Sequence, residues 1–402
     1  MNIALQVLAS LLLLCFVFSG ALKWMSIWQI DPTILFGGAV AAWMLARVYN
    51  RSFIRNLEKP PLVWNLLFLV LYMLSAVASL SDAFRYTKLA AIALNTLALL
   101  GPLALLDKEY GERTFARTLQ YFTLLAAIAV HYFYWTGQIN ILHDSINREV
   151  TKLPDYLVLG YLAGLNVIIS VLTPSRVSLI QLILSATALV LLSGRGPAVF
   201  VPLTLVCTLL IRSRRKDSKG AKIILNTLAL LGILTLGLIY WEGGEVLLGR
   251  LLSSYDSASG RLADTSRQEE FVTALKVVSE FPLKGAGLAG YGVAAYGLDQ
   301  NIYPHNLIME AAAETGILGG LLFVACIVIT LRSSISASKT AGGLVVAACL
   351  FFTLMNYMKS GGFIGARDLY LLIGVIICFN HEGRPGQDTS KRNSPLKNRG
   401  KE

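Results

Sequence analysis

The residue types with chemical potential in this chain are a few arginines and one histidine, in three short stretches. In NIYPHNLIME, residues 301–310, His305 stands between Pro304 and Asn306, directly ahead of an apolar run. A neutral imidazole takes a proton near neutral pH, which suits a general base. The other reading of a lone histidine is a structural ring. Pro304 fixes the approach, and Asn306 can cap the helix that follows. Glu310 and Glu314 lie further along that helix. Either could orient the ring or balance nearby arginines, and the sequence leaves that open. In LLSGRGPAV, residues 191–199, Arg195 is the charge between two apolar runs. It reads either as an arginine snorkelling at a membrane boundary or as a planar, permanently charged fork for a phosphate. Gly194 and Gly196 on either side let a ligand come close.

The third stretch surrounds Arg267. SRQE, residues 266–269, has the form of a capping box, in which a serine and a glutamate close the first turn of a helix. Phe271, Leu275, Val278 and Phe281 then recur about one turn apart, and Pro282 follows. The spacing predicts an amphipathic helix of about four turns, with its apolar face on the membrane surface or on the tops of spans. Arg267 falls in the first turn, where free backbone N–H groups favour an anion. Its positive charge opposes the helix dipole, and a bound anion would resolve that conflict. Arg250 and Arg261, in the same loop, are further candidates. GAGLAG, residues 285–290, matches a dinucleotide fingerprint literally. That fingerprint needs a strand before it, and here a helix and Pro282 precede it. The expectation is a tight turn against the bilayer surface, where glycine permits close backbone approach.

The remaining histidines carry less. His131 lies beside Tyr132, Tyr134 and Trp135, an interfacial aromatic belt, and reads as structural. His143 sits with Asp144 in a polar loop, and His381 is in the tail. No D-x-D pair, Walker motif or assembled Ser/His/Asp set occurs, so neither a metal nor a cofactor is expected. The five cysteines, Cys15, Cys207, Cys326, Cys349 and Cys378, fall in apolar runs without ligand spacing and read as packing residues.

What must position these residues is a set of membrane helices. The chain has 402 residues, of which 55% are hydrophobic and 15% charged, where a soluble domain carries about 25% charged residues. Apolar runs near 3–22, 33–46, 61–80, 88–106, 116–135, 154–173, 177–193, 197–211, 222–241, 315–331, 342–358 and 366–380 predict twelve spans. The first lacks a basic leader and is followed at once by others, so it reads as an uncleaved helix. Arg47, Arg51, Arg55 and Lys59, then Arg212, Arg214, Arg215, Lys216 and Lys219, then the basic tail, place both ends in the cytoplasm. The net charge of +11 reflects that bias and implies membrane lipids, not nucleic acid, as partners. The spans carry almost no charge near their middles, which counts against an ion-coupled transporter.

The chain then divides into helices one to nine over 1–241, a long outer loop over 242–314, helices ten to twelve over 315–380, and a polar, basic cytoplasmic tail over 381–402. Long loops in compact proteins usually carry function.

Taken in order, LLSGRGPAV, SRQEEFVTALKVVSEFPLKGAGLAGYG and PHNLIMEAAAETGILGG resemble the O-antigen ligase and polymerase superfamily of bacterial envelopes. The resemblance covers about residues 180 to 330, and PHN with its following acidic residue and GILG is its most specific piece. It implies an all-α, glycosyltransferase C-type fold of the inner membrane with a periplasmic active site. It also implies a metal-independent, inverting transfer of glycan from undecaprenyl pyrophosphate to a sugar of the lipid A–core. His305, Arg195 and Arg267 match the family's catalytic positions. Arg261, Asn306 and Glu310 join Arg195 and Arg267 as expected substrate contacts. The chain departs from the family at Phe271, where tryptophan is common, and in having SGRG where many relatives have SRG. A chain length near 400 and one long outer loop before the last three spans suit a ligase. The alternatives are an O-antigen polymerase, a protein O-oligosaccharyltransferase of the same superfamily, or a lipid or sugar transporter that does no chemistry.

Overall fold

The computed structural model describes residues 2–22, 31–47, 51–107, 110–137, 156–173, 175–192, 195–213, 232, 255–256, 261–262 and 265–379. These residues are almost entirely helical. The helices are α1 (Ile3–Val17), α2 (Ser19–Leu22), α3 (Pro32–Arg47), α4 (Arg51–Leu57), α5 (Pro60–Leu74), α6 (Arg85–Leu105), α7 (Gly111–Trp135), α8 (Tyr156–Leu172), α9 (Arg176–Leu191) and α10 (Arg195–Ser213). After the long loop come α11 (Thr265–Glu280), α12 (Tyr291–Tyr296), α13 (Leu307–Ala337), α14 (Ala341–Ser360) and α15 (Arg367–Phe379). A two-residue antiparallel ladder pairs Tyr255 with Leu262 and Asp256 with Arg261.

Among the described residues, four segments are long and apolar enough to cross a membrane: Pro60–Ala78, Arg85–Leu105, Leu307–Ala337 and Ala341–Ser360. Shorter apolar helices include Ile3–Val17, Pro32–Arg47, Val158–Leu172, Val177–Leu189 and Gly196–Arg212. The chain is an all-α polytopic membrane protein. Helices occupy eleven of the twelve expected spans; the ninth, 222–241, lies outside the described residues apart from Gly232. Ile34, Leu45, Val77 and Leu318 are each more than 60% exposed, as a surface solvated by lipid requires.

Helices α5, α6, α13, α14 and α15 form the part of the bundle under the site, with α6 against α15, α5 against α13, and α14 against both α13 and α15. An aromatic cluster sits between them: the ring centroids of Phe68 and Phe323 are 4.8 Å apart, as are those of Tyr72 and Phe363.

Beside that cluster is a charged one. Lys88, in the first turns of α6, is 2% exposed, and Glu310 and Glu314 of α13 are 1% and 0% exposed. Lys88 Nζ donates to Glu310 Oε1 at 2.5 Å and to Glu314 Oε1 at 2.7 Å. The other oxygens are also engaged: Tyr72 Oη donates to Glu314 Oε2 at 2.7 Å, and the Phe363 N–H donates to Glu310 Oε2 at 3.0 Å. Buried ions persist only when paired and hydrogen-bonded in this way. The cluster therefore joins α5, α6, α13 and the turn before α15.

Helix α13 is broken at Gly316, whose φ of 80° and ψ of 176° leave the helical region. The apolar run ahead of it predicts an uninterrupted helix into span ten; the structure instead frees backbone groups at the break. Ala286 N–H donates to the Ala313 carbonyl at 2.8 Å, Gly287 N–H to the Glu314 carbonyl at 3.0 Å, and Ile317 N–H to the Pro282 carbonyl at 2.9 Å. The glycine-rich turn is thus a plug for a helix break. Its other side is stitched to the turn after α5, where Leu80 N–H donates to the Ala286 carbonyl and Ser79 Oγ to the Leu288 carbonyl. The turn packs on protein backbone, not on the bilayer surface alone. A Cβ at Gly287 would lie 2.3 Å from Ser79 Cα, and one at Gly285 would lie 2.3 Å from the Glu314 carbonyl carbon.

Two outcomes follow. Lys88→Met strands two buried carboxylates and should cost about 3–5 kcal/mol, read as a lowered unfolding midpoint in detergent; adding Glu310→Gln and Glu314→Gln should recover part of that loss. Gly287→Ala combines a φ of +78° with that backbone clash. It should destabilise by at least about 1–3 kcal/mol, whereas Gly38→Ala, with nothing within 4 Å of the new Cβ, should be tolerated.

Candidate functional site

The site is built on helix ends. Asn306 caps α13: its side-chain oxygen accepts the N–H groups of Ile308 at 3.0 Å and Met309 at 3.1 Å. This is the role that its place in the sequence anticipates. Its amide nitrogen is also committed, donating to the Met358 carbonyl at 2.9 Å, in the last turn of α14. The residue before it, His305, has a φ of 51°. Few residues with a Cβ adopt that region, although histidine is among those enriched in it. Backbone strain of this kind gathers at functional sites. The Tyr303 ring lies 4.6 Å from the imidazole.

Across from the ring is Glu270 of α11, whose Oε2 is 3.8 Å from His305 Nε2. Neither Glu310 nor Glu314 approaches the imidazole in that way, because both carboxylates are turned inward to Lys88. Glu310, expected to touch substrate, is enclosed instead and bonded to Lys88 and to the Phe363 N–H. The reason is the helical period. Positions 310 and 314 share the face of α13 that packs on α5 and α6, and a carboxylate there meets a buried cation before it meets solvent.

Helix α11 starts at Thr265, so Ser266 lies inside the helix and not at its cap. Helix ends are the least certain part of a periodicity argument. Position 267 remains within the first turn, and Glu270 follows three residues later on the same side. Of the expected apolar face, Val278 and Phe281 pack on a cluster of Ala274, Val277, Tyr291, Met309 and Ala313, while Phe271 and Leu275 are 46% and 47% exposed. Small residues at the contact let the backbones approach. Tyr291 supports the arrangement by donating its hydroxyl to the Glu270 carbonyl at 3.3 Å. Burial pushes that phenol well above its ordinary range.

Arg195 is the first residue of α10 and not a loop residue. A helix start supplies free N–H groups and a favourable dipole for an anion. Helix α10 packs on α14, and a Cβ at Gly196 would lie 3.3 Å from Asn356 Oδ1 and 3.9 Å from Lys359 Cδ. The last turn of α14 therefore meets both Gly196 and Asn306. Arg261 lies in the short ladder at Arg261–Leu262. The side chains of Arg195, Arg261 and Arg267 are outside the described residues, as are Arg250, His143 and His381. His131 bridges helices, with its Nε2 2.9 Å from the Leu184 carbonyl oxygen and 3.0 Å from Thr187 Oγ1.

A carboxylate clasp steadies the approach to PHN. Asp299 accepts Ser81 Oγ at 2.5 Å and the N–H groups of Asp82 and Ala83, tying the loop before His305 to the entry of α6. The Ser81 hydrogen bond, with those two N–H groups, holds its carboxyl below the usual carboxylate range.

Sequence reasoning missed Lys88 and Glu270. A charge inside the apolar run of α6 was the available signal for Lys88. For Glu270 the signal was its spacing of three from Arg267, which the capping-box reading of Glu269 obscured.

The arrangement offers a proton acceptor with a carboxylate beside it, and a helix start bearing an arginine that shares the end of α14 with the PHN turn. No curated protein matches the chain. A family model described as O-Antigen ligase matches residues 180–324. That stretch runs from α9 through SGRG, the long loop and PHN to beyond the break in α13. Over residues 180–324 the chain is thus similar to the O-antigen ligase family, which supports a place in that superfamily.

Proposed function

We propose that the protein is an O-antigen ligase of the bacterial inner membrane. It transfers glycan from undecaprenyl pyrophosphate to a sugar of the lipid A–core, with its site on the periplasmic face. The observation that carries this reading is the meeting of Asn306 of PHN and Gly196, next to Arg195, on one turn of α14, with Glu270 of α11 opposite His305.

In the proposed reaction, Arg195 and Arg267 hold the pyrophosphate oxygens and neutralise the charge that grows as the leaving group departs. No metal is needed for that role. The acceptor hydroxyl gives its proton to His305 as its oxygen attacks the anomeric carbon. The bond from that carbon to the phosphate oxygen breaks, undecaprenyl pyrophosphate leaves, and the anomeric centre inverts. Arg261 is a further contact for the donor. Asn306 acts by holding the backbone turn that presents His305.

The test is a lipopolysaccharide gel from a strain lacking the gene. A ligase predicts loss of all O-antigen bands with lipid-linked polymer accumulating. A polymerase predicts a single repeat still on the core. An unchanged gel would exclude this acceptor and turn attention to protein. In the purified reaction, His305→Ala should lower turnover by about 10²–10⁴-fold, and Arg195→Ala or Arg267→Ala by about 10²–10³-fold. Near-normal transfer by His305→Ala would remove the base assignment, and unaltered donor binding and turnover in both arginine variants would remove the clamp.

A further inference from the structure

We infer that Glu270 is the positioning residue for His305: its carboxylate holds the imidazole and stabilises the charge the ring acquires on taking the acceptor's proton. The inference rests on the reading of His305 as the base.

The geometry is specific. Glu270 Oε2 lies 3.8 Å from His305 Nε2, within ion-pair reach but longer than a hydrogen bond. Among the described residues, Glu270 Oε2 is enclosed and has no hydrogen-bond partner. A buried acceptor left without a donor is costly, and such a group calls for an explanation. The charged imidazole supplies one: a ring that has taken a proton presents an N–H to this oxygen.

Both partners are fixed by backbone and not by each other. His305 has its unusual φ directly before Asn306, whose side chain is bonded both to the start of α13 and to the Met358 carbonyl. Glu270 is held by α11, whose Ala274 and Val277 are packed on Tyr291 and Ala313, and by the Tyr291 hydroxyl on its carbonyl. The pair is therefore preformed, and ordering it costs little when substrate arrives. Among the described residues, the other ionisable groups that face it are Tyr303 beside the ring and Tyr291 and Tyr296 on α12, with Glu269 adjacent on α11. Glu310 and Glu314 are occupied by Lys88, so neither competes for the role.

The experiment measures steady-state transfer by the full chain in detergent or proteoliposomes. The substrates are undecaprenyl pyrophosphate-linked glycan and lipid A–core. Glu270→Gln keeps the shape and removes the charge. It should lower kcat by about 10–100-fold with KM for the donor little changed, and Glu270→Asp should recover part of that loss. On a His305→Ala background, Glu270→Gln should cause no further loss, because the carboxylate acts through the ring. Wild-type kcat in Glu270→Gln would overturn the inference. So would an equal further loss on the His305→Ala background, which would mark a purely structural role. A fully active His305→Ala enzyme would instead remove the base reading itself, so the two failures are distinguishable.

Discussion

Away from water, every backbone N–H and C=O must find its partner inside the protein. The break in α13 at Gly316 raises that requirement directly beneath the site, and the structure around it is arranged to meet it. The carbonyls of Ala313 and Glu314 take N–H groups from the glycine-rich turn, and the Ile317 N–H takes a carbonyl from the end of α11. The same turn reaches across to Ser79 and Leu80. A long loop that could have lain loosely over the bundle is thereby keyed into it. The position of α11, and so of Glu270 opposite His305, depends on that insertion.

The charged cluster of Lys88, Glu310 and Glu314 works with the break. It fixes the short upper segment of α13 against α5 and α6, just where the segment loses continuity with the rest of its helix. Ion pairs in low dielectric are demanding of geometry, since an imperfect partner leaves a charge uncompensated. They specify one placement of the PHN turn above them. Apolar packing alone would tolerate small rotations of that segment. An ion cluster satisfied on four sides does not.

Much of this was legible in the residues. The apolar runs located the helices because lipid sets their length and polarity. Asn306 announced its cap, since an amide ahead of an apolar run has few other uses at a helix start. The break at Gly316 was not legible, because the residues on either side of it are compatible with a continuous helix and one glycine does not decide a helix. The partners of Glu310 and Glu314 were hidden for a different reason. Lys88 is more than two hundred positions away in sequence, and only the packing of α6 on its neighbours brings it there. Glu270 was obscured by Glu269, which fitted a local motif. In the SGRG stretch, the motif left Arg195 between two spans, whereas it opens a helix.

The shared footing on α14 has a mechanical consequence. Asn306 hangs from the Met358 carbonyl, and Gly196 rests on Asn356, less than one turn away. Any tilt of that helix end carries the start of α10 and the PHN turn in the same direction. The distance between the two is insulated from breathing of the surrounding bundle. A membrane that thickens, thins or curves around the protein would displace the whole assembly while leaving its internal spacing unchanged.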